Sequence, residues 1–168
     1  MSKKTEKNTA VLNKNLPMLV GKRLIEQNFS ISCAESCTGG MFSQTLTDIP
    51  GISAVFDRGI VTYSNQAKME ELGVQKETLE KYGAVSEQTA VEMAVGIQKK
   101  AATRIGVSVT GVAGPGGGTA EKPVGLVYVC AVFDGQKMCR ELRLHGDRSA
   151  NRNESMLNMF DMIGELIQ

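Results

Sequence analysis

The sequence is poor in the residues on which much enzyme chemistry rests: 168 residues hold one histidine, His145, and four cysteines, Cys33, Cys37, Cys130 and Cys139. A Ser-His-Asp triad would have to use His145. A structural zinc site needs four ligands, and the Cys33-x-x-x-Cys37 pair has only that sequence-remote histidine to add, so no metal is expected. Cys33 and Cys130 fall in expected strands, and the cysteines read as reduced, mostly buried thiols rather than a disulfide framework. Charge of one sign is also scarce: the formal net charge is +1 with 22% charged residues, and the positive charges are dispersed. That leaves no electrostatic footprint for nucleic acid. Only Lys3, Lys4 and Lys7 cluster, in a polar stretch read as a flexible tail over residues 1–10. No apolar run approaches the roughly 18 residues needed to span a bilayer. The N-terminus lacks the apolar centre of a secretory signal, so the expectation is a cytoplasmic protein without a membrane partner.

What is present suits one domain over residues 11–168, with 42% hydrophobic residues to build a core. Apolar spacing predicts a helix over 11–27, a strand over 31–34 and a helix over about 39–48. Strand character returns over 54–63, and Ser64 or Asn65 can cap a helix over about 66–72. Helices follow over 76–82 and, opened by Ser86, over 86–102. Strands are expected over 105–110, 124–133 and 137–144, the last two joined by the hairpin turn Asp134-Gly135. A helix over 151–167 closes the chain, with Asp147 or Ser149 as its cap. Alternating helices and apolar strands imply an α/β protein: a three-layer α/β/α sandwich with a mixed sheet of about five strands.

Two loops look built for an anion. Thr110 to Gly125 connects two apolar strands and carries glycines at 111, 114, 116, 117 and 118, whose freedom at positive φ lets successive amides face one concavity. Ser36-Cys37-Thr38-Gly39-Gly40 follows a strand and enters a helix, where hydroxyls and free amides favour negative charge. Neither loop fits the dinucleotide or Walker fingerprints, so no such cofactor is expected. Between them, residues 50–68 supply Ser53, Tyr63 and Lys68 in one span. A serine needs a base, and a lysine can be that base if burial or a nearby cation, here Arg58, lowers its pKa. Arg148 and Arg152 in the segment before the last helix suit a phosphate or carboxylate.

These residues also carry a family resemblance. The motifs are Ala34-Glu35-Ser36-Cys37-Thr38-Gly39-Gly40; Pro50-Gly51-x-Ser53-x-x-Phe56-x-x-Gly59-x-x-x-Tyr63-Ser64-Asn65-x-x-Lys68; Gly83-Ala84-Val85-Ser86; Thr110-Gly111-x-Ala113-Gly114-Pro115 through Lys122-Pro123-Val124-Gly125; and Gly146-Asp147-Arg148. Together, in this order from about residue 12 to the end, the chain resembles the CinA C-terminal-domain family, in the stand-alone form without the molybdopterin-binding-like domain. The resemblance implies nicotinamide-nucleotide amidase activity: hydrolysis of the carboxamide of nicotinamide mononucleotide to nicotinic acid mononucleotide and ammonia, without cofactor, by a serine with a lysine partner. Carried to this chain it implies Ser53 as nucleophile, preferred to Ser36 because it shares a compact segment with Lys68 as base and Tyr63 as helper. Candidate substrate-binding residues are Ser36, Thr38, Gly39, Gly40, Thr110, Gly111, Gly114, Gly116, Gly117 and Arg148. A homodimer is the implied assembly and a small nucleotide the implied partner. A nucleotide-sensing or interaction module linked to competence and DNA damage is the non-enzymatic alternative, and a phosphotransferase using the same glycine loop a third reading.

Overall fold

The structure, a computed structural model, describes residues 15–168, so the expected tail over 1–10 and the first residues of the expected first helix lie outside it. Helix α1 (Leu16–Glu26) carries Pro17 in its first turn, where a missing N–H costs nothing, and buries Val20 and Leu24. Strand β1 (Ile31–Glu35) leads to α2 (Met41–Thr47), a single 3₁₀ turn (Ile52–Ala54) and β2 (Phe56–Val61). Helices α3 (Asn65–Leu72), α4 (Lys76–Tyr82) and α5 (Glu87–Ala101) then precede β3 (Ile105–Gly111), β4 (Leu126–Phe133), β5 (Gln136–Arg143) and α6 (Arg148–Leu166). Among the described residues no helix is long and apolar enough to cross a membrane.

The five strands form one mixed sheet in the order β2-β1-β3-β4-β5. β1 runs parallel to both β2 and β3, whereas β3–β4 and β4–β5 are antiparallel. The β4–β5 turn has Asp134 at φ 47° and Gly135 at φ 81°, the two positive values that a two-residue hairpin matched to strand twist requires. Helices α1, α2 and α6 cover one face and α5 the other, with α3 and α4 packed on α5. Because β1, β2 and β3 are parallel, their carboxyl ends share one edge, and the segments after Glu35, Val61 and Gly111 converge there. Open α/β sheets bind their ligands in such a crevice.

Strand alternation divides β1 between the two layers. Ile31 and Cys33 join the larger core with Phe42 of α2 and Met159, Phe160 and Ile163 of α6. Ala34 joins the smaller one, with Leu72, Met93 and Ile97. The α5 face is built of small residues, and helix and sheet approach closely: Ser108 Oγ donates to the Ala90 carbonyl at 2.6 Å, and a Cβ at Gly106 would stand 2.4 Å from the Ala94 carbonyl. All four cysteines are thiols.

The same closeness fixes α3. A Cβ added at Gly96 of α5 would stand 1.9 Å from the Leu72 carbonyl at the end of α3. In an unconstrained helix Gly→Ala stabilises by about 1 kcal/mol. Here overpacking opposes that gain, and Gly96→Ala is expected to destabilise by about 1–3 kcal/mol in urea unfolding. A stabilised variant would show that α3 is not held by this contact.

Candidate active site

The crevice contains a cavity of about 280 Å³. Ser36 and Cys37 line it from the end of β1, and Tyr63, Asn65 and Lys68 from the end of β2 and the start of α3. Thr110 to Gly114, Gly116 and Gly117 contribute from the end of β3, with Ala84 and Val85 before α5 and Arg148 at the start of α6.

Ser36 continues the alternation of β1. Ser32 and Ala34 face the α5 layer, and Ser36, two residues on, faces α3. Its amide donates to the Val109 carbonyl at 3.1 Å, so the residue is tied to β3 although it lies just past the strand. Opposite it, Ser64 caps α3 by accepting from the Ala67 amide at 3.0 Å. That start sets the helix phase so that Lys68 and Leu72, four residues apart, share the buried face. Lys68 is only 2% exposed. Its Nζ lies 3.0 Å from Ser36 Oγ and donates to the Thr62 carbonyl at 2.6 Å. Burial lowers the Lys68 pKa to about 8, which a weaker influence of Cys37 opposes, while burial pushes the Cys37 thiol up to about 11. A lysine that loses its proton so readily can accept one from a hydroxyl at hydrogen-bond distance.

The glycine loop bends by positive φ at Gly114 (89°) and Gly117 (82°), two of the five glycines expected to do so. Gly111 serves close packing instead, since a Cβ there would meet Val127 Cγ2 at 2.5 Å and the Leu126 carbonyl at 2.8 Å. Thr110 Oγ1 donates to the Ala84 carbonyl at 2.9 Å and so joins the β3 end to the turn before α5. Arg148 spans the rim: Nη1 donates to the Gly114 carbonyl at 2.8 Å and Nη2 to the Tyr63 hydroxyl at 3.0 Å.

Several sequence expectations change. Ser53 is exposed in the 3₁₀ turn before β2. Phe56, where β2 begins, pairs with Ile31, while Lys68 meets the chain beyond Glu35, so the length of β2, about 20 Å, separates Ser53 from Lys68. Ser36 takes the position that the sequence reading gave to Ser53. Thr38, Gly39 and Gly40 do not line the cavity, because the anion that this helix start attracts is internal. The Glu35 carboxylate, on the α2 side of β1, accepts from Thr38 Oγ1 at 2.6 Å, the Phe42 amide at 2.9 Å, and the Ser43 amide and hydroxyl at 3.0 and 2.8 Å. Arg58 pairs with Asp57, and it is burial, with no cationic neighbour, that lowers the Lys68 pKa. Asn65 and Cys37 border the cavity although the sequence reading did not single them out as site residues. For Asn65 the available signal was its place three residues before Lys68 on one helix face.

A family model described as the CinA C-terminal domain matches residues 13–167. A protein of Acetivibrio thermocellus, provisionally named competence-damage inducible, is 60% identical over 151 residues, which cover 90% of this chain and 37% of that protein. A like-named protein of Clostridium acetobutylicum is 58% identical over 149 residues, 89% of this chain and 36% of its own length. The chain thus spans little more than a third of these curated relatives. Among solved structures, the competence/damage inducible protein CihA from Agrobacterium tumefaciens matches with a TM-score of 0.88 at 41% identity, over 95% of this chain and 100% of that one. A CinA superfamily protein from Escherichia coli matches with a TM-score of 0.89 at 30% identity, over 98% and 95% of the two chains. These names speak of competence and damage and not of a reaction.

The buried amine has a consequence for stability. The folded pKa of Lys68 lies near 8 and an unfolded lysine titrates near 10.4. Between these values the unfolded chain binds more protons, so stability rises with pH across that window and the contribution is lost as pH falls toward 8. Lys68→Met removes this term. The difference in unfolding free energy between wild type and Lys68→Met is expected to move by about 2 kcal/mol in favour of wild type from pH 8 to 10.4. A pH-independent difference would mean that Lys68 titrates as an ordinary exposed lysine.

Proposed function

This chain belongs to the CinA C-terminal-domain family, and on that premise we propose that it is a nicotinamide-nucleotide amidase with Ser36 as nucleophile and Lys68 as general base. The observation that carries the reading is the 3.0 Å approach of Lys68 Nζ to Ser36 Oγ inside the cavity, with the amine lowered to a pKa of about 8 by burial. The choice of nicotinamide mononucleotide rests on the resemblance of the motifs; the geometry by itself supports attack on an acyl carbon.

Neutral Lys68 keeps an N–H on the Thr62 carbonyl, which aims its lone pair at the Ser36 hydroxyl. Ser36 Oγ attacks the carboxamide carbon as its proton passes to Lys68. The carbonyl oxygen gains charge in this step and needs preorganised donors, a role that the amides of the cavity-lining glycine loop can fill. The resulting Lys68 ammonium returns its proton to the amide nitrogen, the C–N bond breaks and ammonia leaves an ester on Ser36. Water then attacks that ester with Lys68 again accepting the proton, which releases the acid and restores the serine. Tyr63, exposed and bonded to Arg148, stands at the mouth where the ring of the substrate would enter, and the Arg148 guanidinium offers charge to the phosphate end.

Ammonia release from nicotinamide mononucleotide by the purified protein tests the reaction. Ser36→Ala is expected to lower kcat at least about a thousandfold, and Ser53→Ala to stay within about twofold of wild type, as exposed surface substitutions do. Since the neutral amine is the active form, kcat/KM should rise with pH through about 8. Lys68→Arg should be as inactive as Lys68→Ala, because a guanidinium cannot take the proton. Full activity in Ser36→Ala, or substantial kcat in Lys68→Arg, contradicts the assignment.

A further inference from the structure

The turn that presents Ser36 is held from outside the cavity by an arginine for which the proposed reaction has no direct use. Arg152 stands four residues after Arg148 in α6, but it reaches to the far side of the turn. Its Nε donates to the Cys37 carbonyl at 3.0 Å and its Nη2 to the Thr38 carbonyl at 3.0 Å. These are the first two carbonyls after the seryl residue. In a trans peptide the carbonyl of one residue and the amide of the next point in opposite directions. A planar fork on both carbonyls therefore fixes the Cys37–Thr38 and Thr38–Gly39 peptide planes. The second plane carries the Gly39 amide, which donates back to the Ser36 carbonyl at 3.0 Å. With the Ser36 amide on Val109, the nucleophile is tied at both ends, and Arg152 secures the end that strand pairing does not reach. The turn also fits this fork: Gly39 holds φ 59°, and a Cβ there would stand 3.5 Å from Arg152 Nη2. The Glu35 carboxylate holds the same turn as well, by accepting from Thr38 Oγ1 and the first amides of α2.

We propose that Arg152 is a positioning residue for Ser36: its guanidinium fixes the Cys37–Thr38 and Thr38–Gly39 peptide planes and, through the Gly39 amide on the Ser36 carbonyl, holds Ser36 Oγ against Lys68 Nζ. The inference rests on the Ser36–Lys68 reading of the site. It assigns Arg152 a role distinct from that of Arg148, which lines the cavity. A displacement of about 1 Å at a reacting atom is enough to cost on the order of 100-fold in rate. Lysine has the charge but not the planar fork, and it can serve only part of the role.

Arg152→Ala and Arg152→Lys test this through steady-state ammonia release and through the rate at which a fluorophosphonate labels Ser36. In the labelling reaction the Oγ–P bond forms, fluoride leaves, and the seryl proton passes to Lys68. The expected result for Arg152→Ala is a fall of about 10–100-fold in kcat with KM within about threefold of wild type. Labelling should slow by the same factor, methylguanidinium should restore part of both rates, and Arg152→Lys should lie between. Thermal unfolding establishes that the variants are folded; if Arg152→Ala is not, the labelling rate of Arg152→Lys decides. A folded variant with unchanged kcat and labelling rate, or one whose only loss is in Tm, overturns the role. If the wild-type chain is labelled at Ser36 yet releases no ammonia from nicotinamide mononucleotide, the amidase reading fails, and the labelling rates still decide on Arg152.

Discussion

Lys68 Nζ has two oxygen neighbours, the Ser36 hydroxyl and the Thr62 carbonyl, and its residue is almost wholly withdrawn from water. An ammonium there loses hydration that two neutral oxygens replace only in part, and the proton becomes easy to remove. Much of the surrounding structure serves to keep that amine buried and aimed. The Ser64 cap sets the phase of α3, Leu72 anchors the same face in the core, and the close packing at Gly96 leaves α3 no room to shift. A surface lysine of the same sequence would hold its proton and could not take the role proposed for Lys68.

The other half of the contact depends on topology. Two parallel neighbours of β1 bring three strand ends to one edge, and the parity of β1 sends Glu35 to one layer and Ser36 to the other. Consecutive residues thus take opposite tasks. Glu35 satisfies the amides at the start of α2, a place where a substrate anion was expected to bind, and Ser36 faces Lys68. The carboxylate lies on the opposite side of the strand from Lys68, so the negative charge that organises the turn does not pair with the amine.

Elements marked by local signals were legible in the sequence. The Asp134-Gly135 turn, the Ser64 and Ser86 caps and the short helix over 76–82 all lie where short-range chemistry puts them. Helix α6 begins at Arg148, three residues before the expected start, because Asp147 is the cap and accepts from the Ala150 amide at 2.8 Å. The site was legible as a set of loops but not as a pairing. Ser53 is nearer than Ser36 to Lys68 in sequence, yet a strand lies between them, and the distance across a strand is not a local property of the chain. Thr38, Gly39 and Gly40 fall outside the cavity for a related reason: nothing in the motif says that the preceding glutamate turns inward to occupy the helix start. Of the two influences offered for lowering the Lys68 pKa, burial acts, whereas Arg58 on edge strand β2 pairs with Asp57.

The account stands or falls on the ionisation of one amine. With 13C placed at the ε carbon of lysine, the chemical shift of Lys68 can be followed through a pH titration of the intact protein, its resonance being identified by its loss in Lys68→Met. A midpoint near 8, well separated from the other lysines, is the result predicted. A midpoint near the roughly 10.4 of an ordinary lysine would leave Ser36 without a base and contradict the account.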